Sequence, residues 1–112
     1  MTICDAGDVA IVPFPFTDLA IAKPRPALCL SPHAANDACG NTVFAMVTTA
    51  AKSHWPQDVL LVDAAAAGLT QASIVRVKLF TLDNRLVSRK IGALSARDRQ
   101  SVRRTLRQLI AI

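Results

Sequence analysis

The chain has 112 residues, a formal net charge of +5 and an apolar content of 52%. This composition excludes an intrinsically disordered chain, and no uncharged run is long and apolar enough to predict a membrane span. The length predicts one domain over residues 1–112. No signal-peptide pattern is visible at the N-terminus, so we expect a cytoplasmic protein. The three cysteines and two histidines lack metal-ligand spacing, so we expect neither a metal nor another cofactor.

Positive charge is concentrated in the second part of the chain. Residues 71–112 contain ten lysines and arginines against two aspartates, whereas residues 1–70 contain three against six. A basic segment of this kind predicts an acidic partner, either a nucleic acid or an acidic protein segment. The chain contains no glutamate, so chemistry that needs paired carboxylates would rest on aspartates alone.

Taken in chain order, the hydrophobic runs predict mostly β structure. Short apolar or β-branched runs that end at turn-forming residues are typical of strands. They predict strands at residues 9–14, 26–30, 42–47, 58–62, 73–82 and 86–94. Residues 31–41 are rich in Ser, Pro, Asn, Asp and Gly, which predicts a loop. Residues 64–70 predict one helical turn that Gly68 closes, and residues 83–85 predict a tight turn.

The last predicted element is a helix. Ser95 fits its N-cap, with Asp98 at the third helical position. Apolar residues recur at helical spacing and give the helix one apolar face: Val102, Leu106, Leu109 and Ile110. The other faces carry five arginines, which form either a solvated surface or a docking strip for an acidic partner: Arg97, Arg99, Arg103, Arg104 and Arg107. Short strands followed by one helix predict a mainly β fold with helices (α+β), a small curled sheet or barrel with a C-terminal helix.

Arg25 is the residue whose placement folding alone does not explain. It stands between Pro24 and Pro26 at the start of a predicted strand, and both prolines restrict the backbone around it. The guanidinium would therefore be held beside a loop, in a position suited to recognising an anion. The alternative is a structural arginine that pairs with a carboxylate such as that of Asp18.

Hydroxyl groups stand near the ends of neighbouring predicted strands, at Ser31, Thr48 and Thr49. Together with Arg25, they form a set that can bind a phosphate group and stabilise the charge that grows on its oxygens in a transition state. If the nucleophile is a ribose 2′-OH, neither an activated water nor a metal is required. No glycine-rich phosphate loop and no G-x-S-x-G element occurs in the chain.

The chain resembles the MazF/PemK-like toxins of bacterial type II toxin–antitoxin systems. The resemblance covers nearly the whole chain in order. It is carried by Gly7-Asp8-Val9, Pro13-Phe14-Pro15-Phe16-Thr17-Asp18-Leu19, Lys23-Pro24-Arg25-Pro26-Ala27-Leu28, Val47-Thr48-Thr49, Asp58-Val59-Leu60-Leu61, Ala67-Gly68-Leu69, the segment from Ser73 to Asp83, and the segment from Arg89 to Ser95. A departure is Pro24, where members commonly have a basic residue.

This resemblance implies a small SH3-like curled β-barrel of the CcdB/PemK-like type, usually a homodimer, and a single toxin domain over residues 1–112. It implies a metal-independent endoribonuclease, an mRNA interferase, that cuts single-stranded RNA at short sequences. The products would carry a 2′,3′-cyclic phosphate and a 5′-hydroxyl. A cognate antitoxin is implied as well, and the basic second half predicts that it is acidic. A gyrase-directed toxin of the same fold and a noncatalytic nucleic-acid-binding module are the alternatives.

The resemblance also implies roles for individual residues. Arg25 and Thr48 fall on the family's catalytic positions, and the loop at residues 16–23 falls where members close over RNA. The residues expected to bind RNA are Phe16, Thr17, Lys23, Ser31, Thr49, Lys52 and Lys78. Trp55 could stack on a base or simply cover an edge of the sheet, and the sequence does not decide between the two.

Overall fold

Six strands, two α-helices and a 3₁₀ helix make up the secondary structure that the computed structural model describes, which comprises residues 1–14, 23–51 and 54–112. The strands are β1 (Asp8–Phe14), β2 (Lys23–Cys29), β3 (Asn41–Thr49), β4 (Val59–Leu60), β5 (Ser73–Asp83) and β6 (Arg89–Ala93). The helices are α1 (His33–Cys39), a 3₁₀ helix (Asn84–Leu86) and α2 (Ala96–Leu109). The described strands form one antiparallel sheet in the order β4-β5-β3-β2-β1-β6. The prediction of a curled, mainly β fold with a C-terminal helix is confirmed.

Strand alternation divides the buried apolar side chains into two clusters, because successive residues of a strand point to opposite faces of the sheet. One cluster contains Leu28 and Val47 and extends to Val102 on α2. The other contains Phe44 and Phe80, whose ring centroids lie 5.7 Å apart. Both faces of the sheet therefore carry buried apolar side chains.

A turn between β4 and β5 joins the two ends of the sheet. The N–H of Ala93, in edge strand β6, donates to the carbonyl of Ala66 at 3.1 Å. Gly68 in this turn has a φ of +77°, and a Cβ at this position would collide with the carbonyl of Ile91. Contact between this turn and β6 is what curls the sheet toward a half-barrel.

The cap of helix α2 ties that helix to the sheet. Ser95 accepts a hydrogen bond from the N–H of Asp98, as the sequence predicts. The Asp98 carboxylate is fully buried and accepts from the N–H groups of Val62 and Asp63 at 2.8 and 2.9 Å. This arrangement fixes the rotation of the helix, and Val102 is buried against the core as a result.

The prediction of a loop over residues 31–41 is wrong, because this region contains α1. Asn36 stabilises this helix, because its buried side-chain amide donates to the carbonyls of Cys4 and Ser31, at 2.9 and 3.0 Å. Gly40, with a φ of +76°, ends the helix in the left-handed conformation. The abundance of turn-forming residues hid a short helix whose stability comes from these tertiary hydrogen bonds.

The predicted strand at residues 86–94 is too long at its start, since β6 covers only Arg89–Ala93. A 3₁₀ helix precedes β6, and its first residue, Asn84, is held in place by its buried side chain. That amide accepts from the Thr42 hydroxyl at 2.7 Å and donates to the Asn36 carbonyl at 2.8 Å. No helix in the described ranges is both long and apolar enough to cross a membrane.

Replacing Gly68 by alanine tests whether the turn–β6 contact holds the curled sheet together. Gly40→Ala is the matched control, because Gly40 has nearly the same φ but open space around its missing Cβ. The control should lose about 1–2 kcal/mol of unfolding free energy from its left-handed backbone. Gly68→Ala should lose clearly more, since it adds the collision with Ile91. Urea unfolding of both variants makes the comparison, and equal losses would show that the turn does not hold the sheet.

Candidate functional site

A cavity of about 580 Å³ opens where β2 separates from β3. Arg25 and Pro26 line one side of it, and the end of β3 with Thr48 and Thr49 lines the other. Its volume lies within the range of roughly 300–1,000 Å³ that is typical of ligand sites. The structure thus brings three residues predicted from sequence, Arg25, Thr48 and Thr49, to one place.

The register of the sheet explains why Arg25 and Thr48 both line this cavity. Strand β2 pairs with β3 only from Cys29 to Ala27, which lies opposite Met46. The same register, continued by two residues, places Arg25 opposite Thr48. Pro26 has no N–H to donate to the ladder, which accounts for the end of the pairing at Ala27. The gap that results is the cavity.

Arg25 presents a cation to this cavity. It is exposed, and within residues 1–14, 23–51 and 54–112 no side chain or carbonyl forms a hydrogen bond or ion pair with its guanidinium. Asp18, the alternative structural partner, lies outside the described residues. The guanidinium carries five N–H donors in a planar fork, which matches the oxygens of a phosphate.

Arg76 is a cavity-lining residue that the sequence reasoning missed as part of the site. Its Nε and Nη2 donate to the two carboxylate oxygens of Asp58, at 3.0 and 2.8 Å. The exposed fractions of the two side chains are only 7% and 8%. Hydrogen bonds from Arg76 are the main cause that lowers the pKa of Asp58, and the same bonds raise the pKa of Arg76. A charged residue inside the otherwise apolar run 74–77 was the available signal, because a buried charge requires a partner.

Trp55 packs against the ion pair of Arg76 and Asp58. The Cζ atom of Arg76 lies 4.7 Å from the centroid of the indole ring, within cation–π distance. The backbone N–H of Trp55 donates to the Asp58 carboxylate at 2.8 Å. The ion pair and the ring therefore form one unit, which we call the Trp55–Asp58–Arg76 cluster.

Two predicted lysines lie near the rim of the cavity. Lys23 pairs with Phe14 across β1 and β2, and the Nζ atom of Lys78 lies 5.6 Å from the centroid of the Phe14 ring. Phe14 itself lines the cavity. The β3–β5 register shifts between Ala45 and Met46, which leaves Lys78 in an unpaired bulge with its side chain exposed. Both lysines add positive charge beside the cavity.

Ser31 is not brought to the cavity. It follows the far end of β2, where its hydroxyl donates to the Asn36 side chain and accepts from the N–H of Val43. Phe16, Thr17 and Lys52 lie outside the described residues. No group of three or more His, Cys, Asp or Glu side chains suited to a metal ion occurs within the described part of the chain.

Comparison with known proteins shows the family. Residues 5–110 match the family described as PemK-like, MazF-like toxin of type II toxin–antitoxin system. The chain therefore belongs to the MazF/PemK toxin family, and the resemblance seen in the sequence is confirmed. No curated protein matches the sequence.

Solved structures of similar proteins agree with this assignment. The crystal structure of MazF from Deinococcus radiodurans shares 29% identity and a TM-score of 0.77, with 100% of each chain covered. A MazE–MazF complex from the same organism shares 27% identity and a TM-score of 0.78, with 99% of each chain covered. An endoribonuclease in complex with its cognate antitoxin from a mycobacterial species has a TM-score of 0.77 over 100% of this chain and 97% of that one. At 16% identity, this last likeness shows the fold alone.

Proposed function

We propose that this protein is the toxin of a type II toxin–antitoxin pair and cleaves single-stranded RNA without a metal. Family membership supports the toxin assignment, and MazF-family toxins are generally endoribonucleases. The observation that carries the proposal is the cavity that the exposed Arg25 lines together with the hydroxyl-bearing Thr48. A cation and a hydroxyl that line the same cavity suit phosphoryl transfer, whereas binding alone would not require both.

The proposed reaction is an internal transfer within the RNA. The 2′-oxygen attacks the adjacent phosphorus and loses its proton, and the bond from phosphorus to the 5′-oxygen breaks. The 5′-oxygen takes up a proton, which leaves a 2′,3′-cyclic phosphate and a 5′-hydroxyl. Because the nucleophile belongs to the substrate, the protein has to orient the reacting groups and stabilise negative charge.

Arg25 and Thr48 have separate roles in this proposal. The Arg25 guanidinium donates to the non-bridging phosphate oxygens and stabilises the charge that they gain in the transition state. An arginine stays protonated in proteins, so electrostatic stabilisation is a better role for it than acid catalysis. The Thr48 hydroxyl orients the phosphate or the 2′-OH by a hydrogen bond.

The remaining predicted residues are assigned to RNA binding. Lys23 and Lys78 would bind backbone phosphates as the strand enters or leaves the cavity, and Thr49 would contact the nucleotide beside Thr48. Ser31 lies at the far end of β2, so a contact there would need RNA that extends along the sheet. Phe16, Thr17 and Lys52 keep their predicted roles as RNA contacts, and together these residues would give the cut its sequence selectivity.

An acidic antitoxin is the proposed regulator, and α2 offers a surface that fits it. A second cavity of about 210 Å³ lies between α2 and the start of the sheet, lined by apolar side chains such as Leu30, Leu94 and Leu106. Arg99 and Arg103 also line it. Apolar contacts beside cations suit a peptide segment that combines a large apolar side chain with carboxylates. A homodimer is part of the proposal as the usual assembly of the family.

Removing the Arg25 guanidinium should abolish most cleavage. Arg25→Ala should cut RNA about a hundredfold to a thousandfold more slowly, the usual cost of losing one such donor. Arg25→Lys should not restore the rate, because an ammonium lacks the planar fork. The measurement is single-turnover cleavage of RNA in EDTA, with Arg97→Ala, an exposed arginine on α2, as the control. A fully active Arg25→Ala protein would remove Arg25 from the site.

Thr48→Val keeps the shape of the side chain and removes only the hydroxyl. Cleavage should fall strongly while the melting temperature changes little, because Thr48 is only partly buried. Thr49→Val is the matched comparison: it should weaken RNA binding but keep most of the single-turnover rate at saturating protein, because Thr49 is assigned to binding and not to the reacting phosphate. The opposite result, an inactive Thr49→Val with an active Thr48→Val, would show that the catalytic hydroxyl belongs to Thr49.

Charge reversal on α2 tests the antitoxin surface. With Arg103, Arg104 and Arg107 changed to glutamate, association with the antitoxin should slow and should depend less on salt, since steering by these charges is lost. Arg85→Glu with Arg89→Glu, two exposed arginines away from α2, is the control. Stopped-flow mixing with the protein encoded beside this toxin, at several salt concentrations, gives the association rate and its salt dependence. Unchanged association would mean that α2 is a solvated face, and no binding at all would contradict the toxin–antitoxin assignment.

A further inference from the structure

Trp55 is a large aromatic residue that the proposed reaction leaves without a role. It is the sole tryptophan of the chain, and 45% of it is exposed. One face of its ring covers the Arg76 guanidinium. Close to half of the residue is therefore open to solvent beside a side chain that lines the cavity.

We propose that Trp55 forms a base-binding subsite, on which a nucleobase next to the scissile phosphate stacks. The ligand class is an unpaired base of single-stranded RNA, so the subsite rests on the proposed function. Stacking on an exposed aromatic ring is a general way in which proteins hold unpaired bases.

The ring is held in place before any ligand arrives. The backbone N–H of Trp55 donates to the Asp58 carboxylate, and the backbone N–H of Asp58 donates back to the Trp55 carbonyl at 3.1 Å, so the backbone that carries the ring is fixed. The same carboxylate holds Arg76 through two hydrogen bonds, and Arg76 holds the ring by its cation–π contact. A platform fixed in this way loses little conformational entropy when a base stacks on it.

The position of the cluster fits a base that neighbours the reacting phosphate. Arg76 pairs with Met46, and Thr48 lies two residues further along the same strand on the same face. Arg76 and Thr48 both line the cavity. A phosphate bound at Arg25 and Thr48 would therefore have one of its flanking nucleotides beside the Trp55 ring.

The charges of the cluster point to stacking instead of phosphate binding. Asp58 compensates Arg76 through a bidentate ion pair, so the cluster adds no net charge to the site. Affinity from Trp55 should therefore be nearly independent of salt, whereas affinity from Lys78, which faces solvent, should fall as salt rises.

Intrinsic fluorescence gives the first test, because Trp55 is the sole emitter of its kind in the chain. The probe is a 2′-O-methyl oligonucleotide of the sequence that the toxin cuts, since the blocked 2′-oxygen prevents cleavage. Binding should quench the tryptophan emission. The oligonucleotide concentration at half-maximal quenching should equal the concentration at half-maximal binding, measured separately with a labelled oligonucleotide. Binding of the oligonucleotide without any change in the emission would overturn the subsite.

Single-base removal gives the second test. Oligonucleotides with one abasic position are compared on the wild type and on Trp55→Ala. One abasic position should weaken wild-type binding by about tenfold to a hundredfold, the usual contribution of one stacked base. Trp55→Ala should show the same loss with the intact oligonucleotide and no further loss with that abasic one. Trp55→Phe, which keeps an aromatic face, should restore most of the affinity.

The outcomes separate this inference from the proposed function. If the abasic position weakens binding by Trp55→Ala as much as it weakens binding by the wild type, the base does not stack on Trp55. In that case Trp55 acts only by covering Arg76, and the subsite is overturned. If Trp55→Ala and the wild type cut RNA equally well at the same sequence, the subsite falls and the nuclease stands. If the wild type neither binds nor cuts single-stranded RNA, the proposed function fails and the subsite fails with it. The quenching test uses the wild type, so it decides the matter even where Trp55→Ala folds poorly.

Discussion

The end of the β2–β3 hydrogen-bond ladder is the constraint on which the candidate site depends. Pairing begins only at Ala27, the residue that follows Pro26, whose nitrogen carries no hydrogen. Strand β2 continues to Lys23 on its other side, where β1 still pairs with it. Among the described strands, β1 alone pairs with β2 over these four residues, and the side that β3 leaves open borders the cavity. The same prolines flank Arg25, so one short sequence both opens the cavity and places a cation in it.

The two arginines of the cavity differ in electrostatic state, and this difference divides the work of the site. Arg76 is buried and compensated by Asp58, so it shapes the wall of the cavity and supports the Trp55 ring. Arg25 is exposed and has no anionic partner in the described part of the chain, so its charge is available to a ligand. Removing Asp58 would leave the Arg76 charge buried without its carboxylate, which is costly, so the pair is held together as a structural unit. The exposed Arg25 is the group that a phosphate would recognise first.

Much of this arrangement was predictable because it follows from local rules. The proline-bracketed Arg25, the strand-end Thr48 and the Ser95–Asp98 helix cap are each specified by a few adjacent residues. Helix α1 and the role of Arg76 were not predictable in the same way. Both depend on partners distant in the chain, since Asn36 bonds to Cys4 and Arg76 bonds to Asp58. Sequence pattern shows that a buried polar group needs a partner, but only the fold shows which residue it is.

In the proposed reaction, the substrate's own 2′-OH is the nucleophile, and the protein supplies a guanidinium and a hydroxyl. The most direct measurement uses an RNA that the toxin cuts, prepared also with a single 2′-deoxynucleotide on the 5′ side of the cut and incubated in EDTA. We expect the all-ribose RNA to be cut to 2′,3′-cyclic phosphate and 5′-hydroxyl ends, and the deoxy-substituted RNA to stay intact. Cleavage of the deoxy-substituted RNA at the same bond, or loss of all cleavage on chelation, would contradict this reaction.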